Sequence, residues 1–315
     1  MHAQDTLISR LLHCNMTISV IIPTFNRAHT LSRAIDSVLL QTRPADEVIV
    51  VDDGSEDGTT DLLRGKYPQV RHLFQCNQGV SAARNRGIEQ TAGEWIALLD
   101  SDDAWLPGKL EAQLQALAAE PSARLCHTEE IWIRNGTRVN QKLRHAKAGG
   151  WIFGDCLPLC VISPSAALLH RSLLDEIGGF DEDLPACEDY DLWLRICSVE
   201  PVVFVETPQI QKYGGHDDQL SRKHWGMDRF RIQALEKIIG SGTLAPDDLA
   251  AACSVLAEKA RIFASGARKR GNLELAQRYE SKRNEALANI HVEEISHKGT
   301  KIQRKVPRCP APRKY

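Results

Sequence analysis

The fold is decided by the stretch Trp95-Ile96-Ala97-Leu98-Leu99-Asp100-Ser101-Asp102-Asp103, in which an apolar run ends in an acidic cluster. A short, continuous apolar run of this kind is typical of a strand that a sheet buries on both faces. The acidic residues close that strand. The stretch therefore predicts a buried strand with an acidic cluster at its carboxyl end.

Three further strand signals precede this one, and helix signals separate them. The predicted strands are Ile18 to Ile22, Val48 to Val51 and Val70 to Phe74. Apolar residues at helical spacing lie between the first two strands, and Thr30 is the predicted N-cap of that helix. Alternation of strands and helices predicts an α/β fold with a mostly parallel, Rossmann-like sheet and helices on both faces.

Polar residues follow three of these predicted strands at the same end. Thr24-Phe25-Asn26-Arg27 comes after the first, Asp52-Asp53 after the second and Asp100 to Asp103 after the fourth. Ligands of open α/β sheets bind beyond the carboxyl ends of the strands, so these segments should meet at one rim. Hard divalent cations prefer carboxylate oxygens and accept phosphate oxygens as further ligands. The rim is therefore a candidate site for a cation and a phosphate-bearing ligand.

The side chains of the acidic cluster are predicted to point to two different faces. Neighbouring residues of an extended segment point to opposite faces, so Asp100 and Asp102 should share a side that Asp103 does not. One of the pair would then contact a ribose or sugar hydroxyl, and the other the metal. A bare acidic cluster is more commonly a solvated turn, and its place at the strand end favours the ligand site.

The acidic segment from Asp52 to Gly58 has part of the spacing of a calcium-binding loop. Counted from Asp53, the twelfth position is Arg64, where that loop needs Glu, and a strand precedes it instead of a helix. A calcium loop is therefore excluded. The paired acids can accept hydrogen bonds from a base and a ribose, or form a tight turn with a helix cap, and both interpretations can hold together.

A second acidic segment, Glu188-Asp189-Tyr190-Asp191, opens a predicted helix that ends at Ser198. The helix dipole stabilises carboxylates at this end by about 0.3–1 kcal/mol, so capping is a sufficient interpretation. Asp189 and Asp191 point about 200° apart at 3.6 residues per turn. Only one of them can face a reacting group, and the other should be structural.

Arg84 and His216 carry weaker signals. Arg84 follows small residues in a helix predicted from Val80 to Gln90, where it either reaches a ligand or lies on the surface. His216 follows two glycines at a predicted turn, and this position argues against a place in the core. A structural role stays open for both residues.

The composition is that of an ordinary globular protein, with 43% apolar and 25% charged residues among 315. Nine scattered cysteines without a C-x-x-C pair favour buried thiols in a reducing compartment over a zinc or redox site. No apolar run approaches the roughly 18 to 20 residues that span a bilayer, so a cytoplasmic location is expected. No nucleic-acid partner is expected.

Six segments of the chain resemble family 2 glycosyltransferases of bacterial type, which have the GT-A fold and invert the anomeric centre. The matching segments are Ile18 to Arg27, Val51 to Ser55, Gly79 with Ser81 to Asn85, Leu99 to Asp103, Ile177 to Glu182 and Glu188 to Arg195. They follow the order of the family across about 180 residues, and the order makes the set specific although each segment alone is weak. The helical C-terminal part is not covered.

The resemblance implies a role for each matching residue. The base and ribose pocket would be lined by Pro23, Thr24, Phe25, Arg27, Asp52, Asp53 and Arg84, with Asp100 on ribose or donor sugar. Asp102 would bind Mn²⁺ or Mg²⁺, and His216 would complete the metal ligands as a histidine does in some members. Asp189 would be the general base, and Glu188 and Trp193 would contact the sugar or the acceptor.

The implied function is transfer of a sugar from a nucleotide-diphosphate donor, expected to be a UDP-sugar, to an acceptor hydroxyl with inversion. Synthesis of cell-surface polysaccharide, lipid-linked glycan or another glycoconjugate is the expected setting. The predicted organisation is an N-terminal extension at 1–15, a catalytic domain at 16–216, a helical region at 217–295 and a basic disordered tail at 296–315. The catalytic domain divides into a nucleotide-binding half at 16–103 and an acceptor half at 104–216.

Further elements are predicted in the second half of the chain. The spacing predicts a helix from Arg171 to Ile177 and a strand from Pro201 to Val205. In the helical region, Pro246 to Ala264 and Leu273 to Ala288 are predicted to form a helical hairpin.

Two alternative functions stay open. A nucleotidyltransferase shares the α/β sheet and the cation, but it needs a glycine-rich phosphate loop where this chain has Pro23-Thr24-Phe25-Asn26-Arg27. A dinucleotide enzyme is excluded because G-x-G-x-x-G is absent. A non-catalytic module that binds nucleotide sugars is the other alternative, and the presence of both Asp102 and Asp189 argues against it.

The helical region has its own alternatives, which are the acceptor, a partner subunit and a membrane surface. Basic residues near Trp225 and Phe230 would suit a helix that faces lipid, and the basic tail would add attraction to anionic lipid. A helix packed on the catalytic domain with a solvated basic face is the favoured interpretation. Peripheral contact with the inner face of a membrane stays as the alternative.

Overall fold

Within the described residues, nine strands form one sheet. The computed structural model describes residues 16–215 and 224–302. The predicted extension at 1–15, His216 and residues 303–315 of the predicted tail lie outside them. The chain divides into two units, Met1–Ala234 and Leu235–Tyr315.

The first half of the sheet is parallel, as the sequence predicts. Its strands are β1 (Ile18–Thr24), β2 (Glu47–Asp52), β3 (Arg71–Phe74) and β4 (Trp95–Leu98). The helices between them are α1 (Ala28–Leu39), α2 (Thr59–Lys66) and α3 (Val80–Gln90). Every residue of β1 and β4 is buried, which explains why these strands appear in the sequence as continuous apolar runs.

The close approach of α3 to the sheet depends on Gly87. A Cβ added there would lie 2.4 Å from Cγ2 of Ile21 in β1, closer than two carbon atoms can pack. Only glycine lets α3 lie at this distance from β1. The packing fixes the position of α3, and therefore of Arg84, against the carboxyl end of the sheet.

The predicted N-cap of α1 is wrong. The helix begins at Ala28 with Arg27 in the N-cap position, and Thr30 lies inside the first turn. The reason is a contact from a distant loop, because Asp57 Oδ2 accepts the Ala28 N–H at 2.9 Å and Ser55 Oγ accepts the Asn26 N–H at 2.8 Å. These bonds from the loop after β2 satisfy donors at the start of α1, which a local pattern does not contain.

The second half of the sheet is mixed. It contains β5 (Ala104–Trp105), β6 (Leu125–Arg134), β7 (Thr137–Val139), β8 (Leu168–His170) and β9 (Val203–Gly214). The strand order in the sheet is β3-β2-β1-β4-β8-β6-β9-β5, and β7 pairs with β6. Strand β8 is antiparallel to both β4 and β6, whereas β9 runs parallel to β6. The carboxyl ends of β6 and β9 therefore lie at the same edge of the sheet as those of the parallel half.

Four helices accompany this second half. They are α4 (Lys109–Ala119), α5 (Phe153–Cys156), α6 (Arg171–Ile177) and α7 (Glu188–Cys197). Short 3₁₀ turns occupy Leu143–His145 and Pro164–Ala166. The start of α7 agrees with the sequence prediction, and so do both ends of α6.

Three more helices follow, α8 (Asp228–Gly240), α9 (Pro246–Lys269) and α10 (Leu273–Ile302). The predicted helical hairpin is confirmed, since α9 and α10 pack along each other and the rings of Phe263 and Tyr279 lie 4.2 Å apart. Pro246 occupies the first turn of α9, where a missing N–H costs nothing. Among the helices described, none combines the length and the apolar character that crossing a membrane requires.

Candidate active site

The carboxyl ends of β1, β2 and β4 converge, as predicted. The Asp53 N–H donates to the Thr24 carbonyl at 2.8 Å, which joins the ends of β1 and β2. A cavity of about 270 Å³ adjoins the rim, and Arg27, Arg33, Asp102 and Tyr213 are among the residues that line it. Residues at the carboxyl ends of β1, β4 and β9 therefore line the same cavity.

Asp52 holds the loop that follows β2. It is fully buried, and its Oδ1 accepts the Ser55 N–H at 2.8 Å while its Oδ2 accepts the Thr60 hydroxyl at 3.2 Å. His72 Nε2 lies 3.8 Å from the same Oδ2, and burial lowers the pKa of His72 despite this carboxylate. These contacts fit the predicted tight turn, and a nucleotide contact by Asp52 stays a prediction.

Asp53 holds the start of α3 in place. Its Oδ1 accepts the Gln75 side-chain N–H at 2.7 Å and the Gln78 backbone N–H at 2.9 Å. Its Oδ2 accepts the Gly79 N–H at 2.8 Å, at the N-cap position of α3. A carboxylate at a helix N-terminus is favoured by the dipole and satisfies donors that the helix leaves open. Asp53, which directly follows β2, therefore stabilises the N-terminus of α3.

The residues after β1 divide into buried and exposed members. Pro23 and Thr24 are buried at the end of β1, whereas Phe25 has 42% of its surface exposed. The buried Thr24 hydroxyl has no hydrogen-bond partner among the described residues. Buried polar groups in proteins are normally satisfied, so this hydroxyl is one that a bound ligand would satisfy.

Arg84 lies at the centre of the site and is almost fully buried. Its Nη2 donates to Asp100 Oδ1 at 2.7 Å and its Nη1 donates to Glu188 Oε1 at 2.6 Å. Its guanidinium also lies 4.9 Å from the ring centroid of Phe180. Burial alone would lower the pKa of Arg84, but Asp100 and Glu188 outweigh it and raise the pKa. Arg84 thus joins the end of β4 to the start of α7, a pairing that the sequence did not reveal.

Asp102 and Asp103 point in different directions, as predicted, but the segment is a turn and not extended, since the Asp103 N–H donates to the Asp100 carbonyl at 3.0 Å. Asp102 lines the cavity, and its backbone carbonyl accepts a hydrogen bond from Arg33. Asp103 is buried and accepts the Ser165 hydroxyl at 2.7 Å and the Tyr213 N–H at 2.9 Å. Burial, then the charges of Asp102 and Asp100, hold the pKa of Asp103 well above its usual value. Asp103 ties the end of β4 to β9.

Asp189 and Asp191 point to different surroundings, as the helix geometry predicts. Asp191 is buried and accepts the Arg195 Nε–H at 2.9 Å, and Arg195 also donates to the Gly179 carbonyl at 2.7 Å. Asp191 is therefore structural. Asp189 is partly exposed, its Oδ1 accepts the Tyr190 N–H at 2.7 Å, and its Oδ2 accepts the Cys160 thiol at 3.2 Å.

Glu188 is buried beside Arg84. Burial raises the pKa of Glu188, while the guanidinium of Arg84 opposes the rise. Trp193 is 1% exposed, and its Nε1–H has no acceptor among the described residues. Trp193 is thus a buried residue of α7, and its contact with the sugar or the acceptor stays a prediction.

Lys212 belongs to the site although no sequence pattern predicts it there. Lys212 of β9 donates to Ser163 Oγ at 3.2 Å. Burial alone would lower the pKa of Lys212, but the carboxylates of Glu130, Asp103 and Asp100 raise it above its usual value. The cation of Lys212 thus faces the acidic strand end. A basic residue in a long strand gives no sequence signal of this position, and the strand was predicted only from Pro201 to Val205.

The described residues contain no group of three or more His, Cys, Asp or Glu side chains arranged to hold a metal ion. Asp100 is committed to Arg84 on one oxygen, Asp103 is buried, and Asp102 lines the cavity. Mg²⁺ is commonly bound by one or two carboxylates together with substrate phosphates. The acidic cluster fits a cation of that kind, which a phosphate-bearing ligand would help to hold.

A family model for "Glycosyl transferase family 2" matches residues 19–178, slightly more than half of the chain. The chain belongs to this family. The matched range contains the loop after β1, both acids after β2, Arg84 and the acidic cluster, so the resemblance read from the sequence is confirmed.

Two relatives illustrate the range of the family. An uncharacterized glycosyltransferase of Rickettsia felis is 34% identical over 224 residues, which are 67% of this chain and 36% of that protein. The chain thus spans about a third of the length of this relative. The UDP-Glc:alpha-D-GlcNAc-diphosphoundecaprenol beta-1,3-glucosyltransferase WfgD of Escherichia coli is 33% identical over 181 residues, which are 57% of this chain and 69% of that one.

Solved structures confirm the GT-A fold for this family 2 chain. S. aureus TarS residues 1–349 in complex with UDP-GlcNAc superpose with a TM-score of 0.58 and 18% identity, over 90% of this chain and 92% of that one. The same TarS segment in complex with UDP gives a TM-score of 0.53. At this level of identity the likeness concerns the fold alone.

Proposed function

We propose that this chain is an inverting glycosyltransferase that moves a sugar from a UDP-sugar to an acceptor hydroxyl. The observation that carries the proposal is the bridge of Arg84 between Asp100 and Glu188. It places the acidic end of β4 beside the start of α7, where Asp189 stands. A donor held at the first element and a base at the second would meet across this bridge.

The donor side of the site supports a nucleotide diphosphate. The loop after β1 offers the exposed ring of Phe25 and the unpartnered hydroxyl of Thr24. Arg27 and Arg33 line the cavity next to Asp102, where negative charge of a diphosphate would be favoured. UDP and UDP-GlcNAc are the ligands of the TarS complexes, and UDP-Glc stands in the name of the E. coli relative.

A divalent cation, Mn²⁺ or Mg²⁺, is part of the proposal. Asp102 would bind it, Asp100 would contact the ribose or donor sugar, and His216 remains the predicted further ligand outside the described residues. When bound, such a cation offsets the negative charge of a departing diphosphate. Lys212 would add a positive charge from β9 beside the same carboxylates.

Asp189 is the proposed general base. The acceptor hydroxyl gives its proton to the Asp189 carboxylate as its oxygen forms a bond to the anomeric carbon of the donor sugar. The bond from that carbon to the diphosphate breaks, and the electron pair leaves with the diphosphate. One base is sufficient for this displacement, which agrees with the commitment of Asp191 to Arg195.

The acceptor is proposed as a hydroxyl of a glycan or a lipid-linked glycan. The support is the name of the E. coli relative, which acts on a GlcNAc-diphosphoundecaprenol. Location in the cytoplasm, with or without contact at the inner face of a membrane, stays a prediction that the described helices do not test.

The function is tested by release of UDP from a panel of UDP-sugars with Mn²⁺, with and without glycan acceptors. Asp189→Asn should keep the affinity for UDP and lose turnover by about 100-fold or more. Asp102→Ala should abolish the part of UDP affinity that depends on Mn²⁺, measured by calorimetry. Asp175→Asn, at an exposed position of α6, is the matched control and should behave as wild type.

The outcomes separate the alternatives. Wild-type turnover by Asp189→Asn would remove the base assignment. UDP binding without turnover of any donor by the wild type would favour the non-catalytic module. Unchanged, Mn²⁺-dependent affinity of Asp102→Ala for UDP would contradict the assignment of the cation site.

A further inference from the structure

Cys160 contacts the proposed base directly. It lies in the segment between α5 and the 3₁₀ turn at Pro164–Ala166, and its side chain is neither fully buried nor fully exposed. Its Sγ is 3.2 Å from Asp189 Oδ2 and 3.1 Å from the Ile162 carbonyl oxygen. For a sulfur donor both distances are within hydrogen-bond range, so one thiol hydrogen has two acceptors to choose from.

We propose that Cys160 is a positioning residue for glycosyl transfer, whose thiol holds the ionised carboxylate of Asp189 in one orientation. This inference rests on the proposed role of Asp189 as general base. No local pattern predicts this contact, because Cys160 and Asp189 are 29 positions apart in the chain.

Each carboxylate oxygen of Asp189 accepts a hydrogen bond. The Tyr190 N–H binds Oδ1 at 2.7 Å, and the Cys160 thiol binds Oδ2 at 3.2 Å. The first donor belongs to the same helix, so by itself it leaves the carboxylate free to turn about that bond. The second donor comes from a different segment and fixes the plane of the carboxylate relative to the acceptor half of the site.

The Cys160 thiol has one acceptor for each protonation state of the base, Asp189 Oδ2 and the Ile162 carbonyl oxygen. An ionised Asp189 accepts the thiol hydrogen, because a carboxylate is a stronger acceptor than a carbonyl. Once Asp189 has taken the acceptor proton, the thiol hydrogen can turn to the Ile162 carbonyl, and the sulfur can accept from the new carboxyl O–H. Cys160 keeps its own proton throughout, and no covalent step involves the sulfur.

The surroundings favour a neutral thiol. Burial, followed by the negative charge of Asp189, raises the pKa of Cys160 well above its usual value. A thiolate would repel the base and could not donate to it. The donor role therefore agrees with the protonation state that this environment favours, and a nucleophilic role does not.

Other described cysteines have different partners. Cys126 contacts the His127 carbonyl at 3.9 Å, and Cys187 contacts the Met227 carbonyl at 3.8 Å. Both contacts are long and involve neutral acceptors. The bond from Cys160 to Asp189 is shorter and charge-assisted, and this difference separates it from ordinary packing of buried thiols.

Several charged and titratable groups face the pair and would contribute to any dependence on pH. Glu188 and Cys187 interact with Asp189 from the start of α7, and Arg84 of α3 acts through Glu188. Lys212 of β9 and Cys156 of α5 face Cys160. Arg231 and Asp228 of α8 face Cys187, Arg231 also faces Cys160, and Tyr190 of α7 interacts with Cys160. These groups are the same in every variant of the pair.

The kinetic test is the pH profile of kcat/KM for UDP release by wild type, Cys160→Ala and Cys160→Ser. A hydrogen bond to the charged form of an acid lowers its pKa, so loss of the thiol should move the acid limb to higher pH. We expect a shift of about 0.5 to 1 pH unit in Cys160→Ala. Cys160→Ser keeps a donor hydrogen and should restore most of the wild-type profile, which a merely structural role would not require.

A spectroscopic test does not depend on turnover. The S–H stretching band lies in a region of the infrared spectrum that other protein groups leave clear, and it shifts when the thiol gains a charged acceptor. In wild type, one component of the band should change with pH as Asp189 is protonated. The pH dependence of that component should be lost in Asp189→Asn, and the component itself should disappear in Cys160→Ala. Cys253→Ala removes a different buried thiol, in α9, and should keep both the component and the wild-type acid limb.

Different results would overturn the proposed function and the role of Cys160. Full activity of Asp189→Asn would overturn the proposed function and, with it, the kinetic role of Cys160. An inactive Asp189→Asn together with an unchanged acid limb in Cys160→Ala would overturn this inference alone. An S–H band that does not respond to pH in wild type would show that the contact itself is absent in solution.

Discussion

Arg84 of α3 and Asp100, which follows β4, form an ion pair with 2.7 Å between Nη2 and Oδ1, and the Arg84 side chain is only 3% exposed. The same guanidinium binds Glu188 at 2.6 Å through Nη1. The pair therefore connects the strand end that would hold the donor to the helix that carries the proposed base. A change at Arg84 should affect folding and catalysis together.

Replacement of Arg84 by Met should lower the free energy of unfolding by about 3–5 kcal/mol, because Glu188 would stay buried, and Asp100 partly buried, without their cation. Urea denaturation measures the loss. Arg86→Met is the control on the same helix, since Arg86 binds the Phe74 carbonyl at 2.9 Å in an exposed setting, and it should cost under about 1 kcal/mol.

The double variant Arg84→Met/Glu188→Gln isolates the pair. It should be more stable than the sum of the single changes predicts, by about 0.5–3 kcal/mol, because one stranded charge is removed with its partner. Strict additivity would mean that the bridge seen between these two side chains contributes nothing in solution.

Replacement of Gly87 by Ala should destabilise the protein, because the new Cβ would meet Cγ2 of Ile21 at 2.4 Å. Overpacking of this kind costs about 1–3 kcal/mol. The matched control is Gly65→Ala in α2, where nothing lies within 4 Å of the added atom. There alanine should stabilise the helix by about 0.5–1 kcal/mol. Equal effects of the two changes, measured by urea denaturation, would contradict the close packing of α3 on β1.

The sequence predicted the parallel half of the fold and its rim because the information there is local. Buried parallel strands appear as apolar runs, and their ends are marked by the polar residues that follow, as at Asp52 and Asp102. Helical spacing likewise separated the structural Asp191 from Asp189. These features depend on residues that are close together in the chain.

The predictions that failed, or were never made, depend on distant contacts. Thr30 has the right chemistry for an N-cap, but Asp57 from another loop supplies the acceptor for Ala28. Arg84 meets Glu188 across 104 positions of the chain, and Cys160 meets Asp189 across 29. No periodic pattern contains such pairs, since they exist only once the sheet has been assembled.

A buried lysine gives the stability of this fold an unusual dependence on pH. Lys109 has no exposed surface, donates to Gln113 Oε1 at 2.7 Å and lies 4.0 Å from the ring centroid of Trp105. Burial lowers the pKa of Lys109 to about 7. The unfolded chain keeps the ordinary lysine value near 10.4, so between these two values it binds a proton that the folded protein does not.

The sign of the effect follows from that proton. Stability should rise with pH from about 7 to about 10.4, because the unfolded state binds more protons throughout this range. Below about pH 7 the cost of burying the charged lysine is fully present. Lys109→Met removes this cost but leaves Gln113 Oε1 without its donor, so we expect a net gain of about 1–3 kcal/mol at pH 6. Urea denaturation at pH 6, 8 and 9.5 should show a flatter dependence for Lys109→Met than for wild type. The exposed Lys142→Met should keep the wild-type slope, and a wild-type slope in Lys109→Met would mean that Lys109 is not the group that titrates.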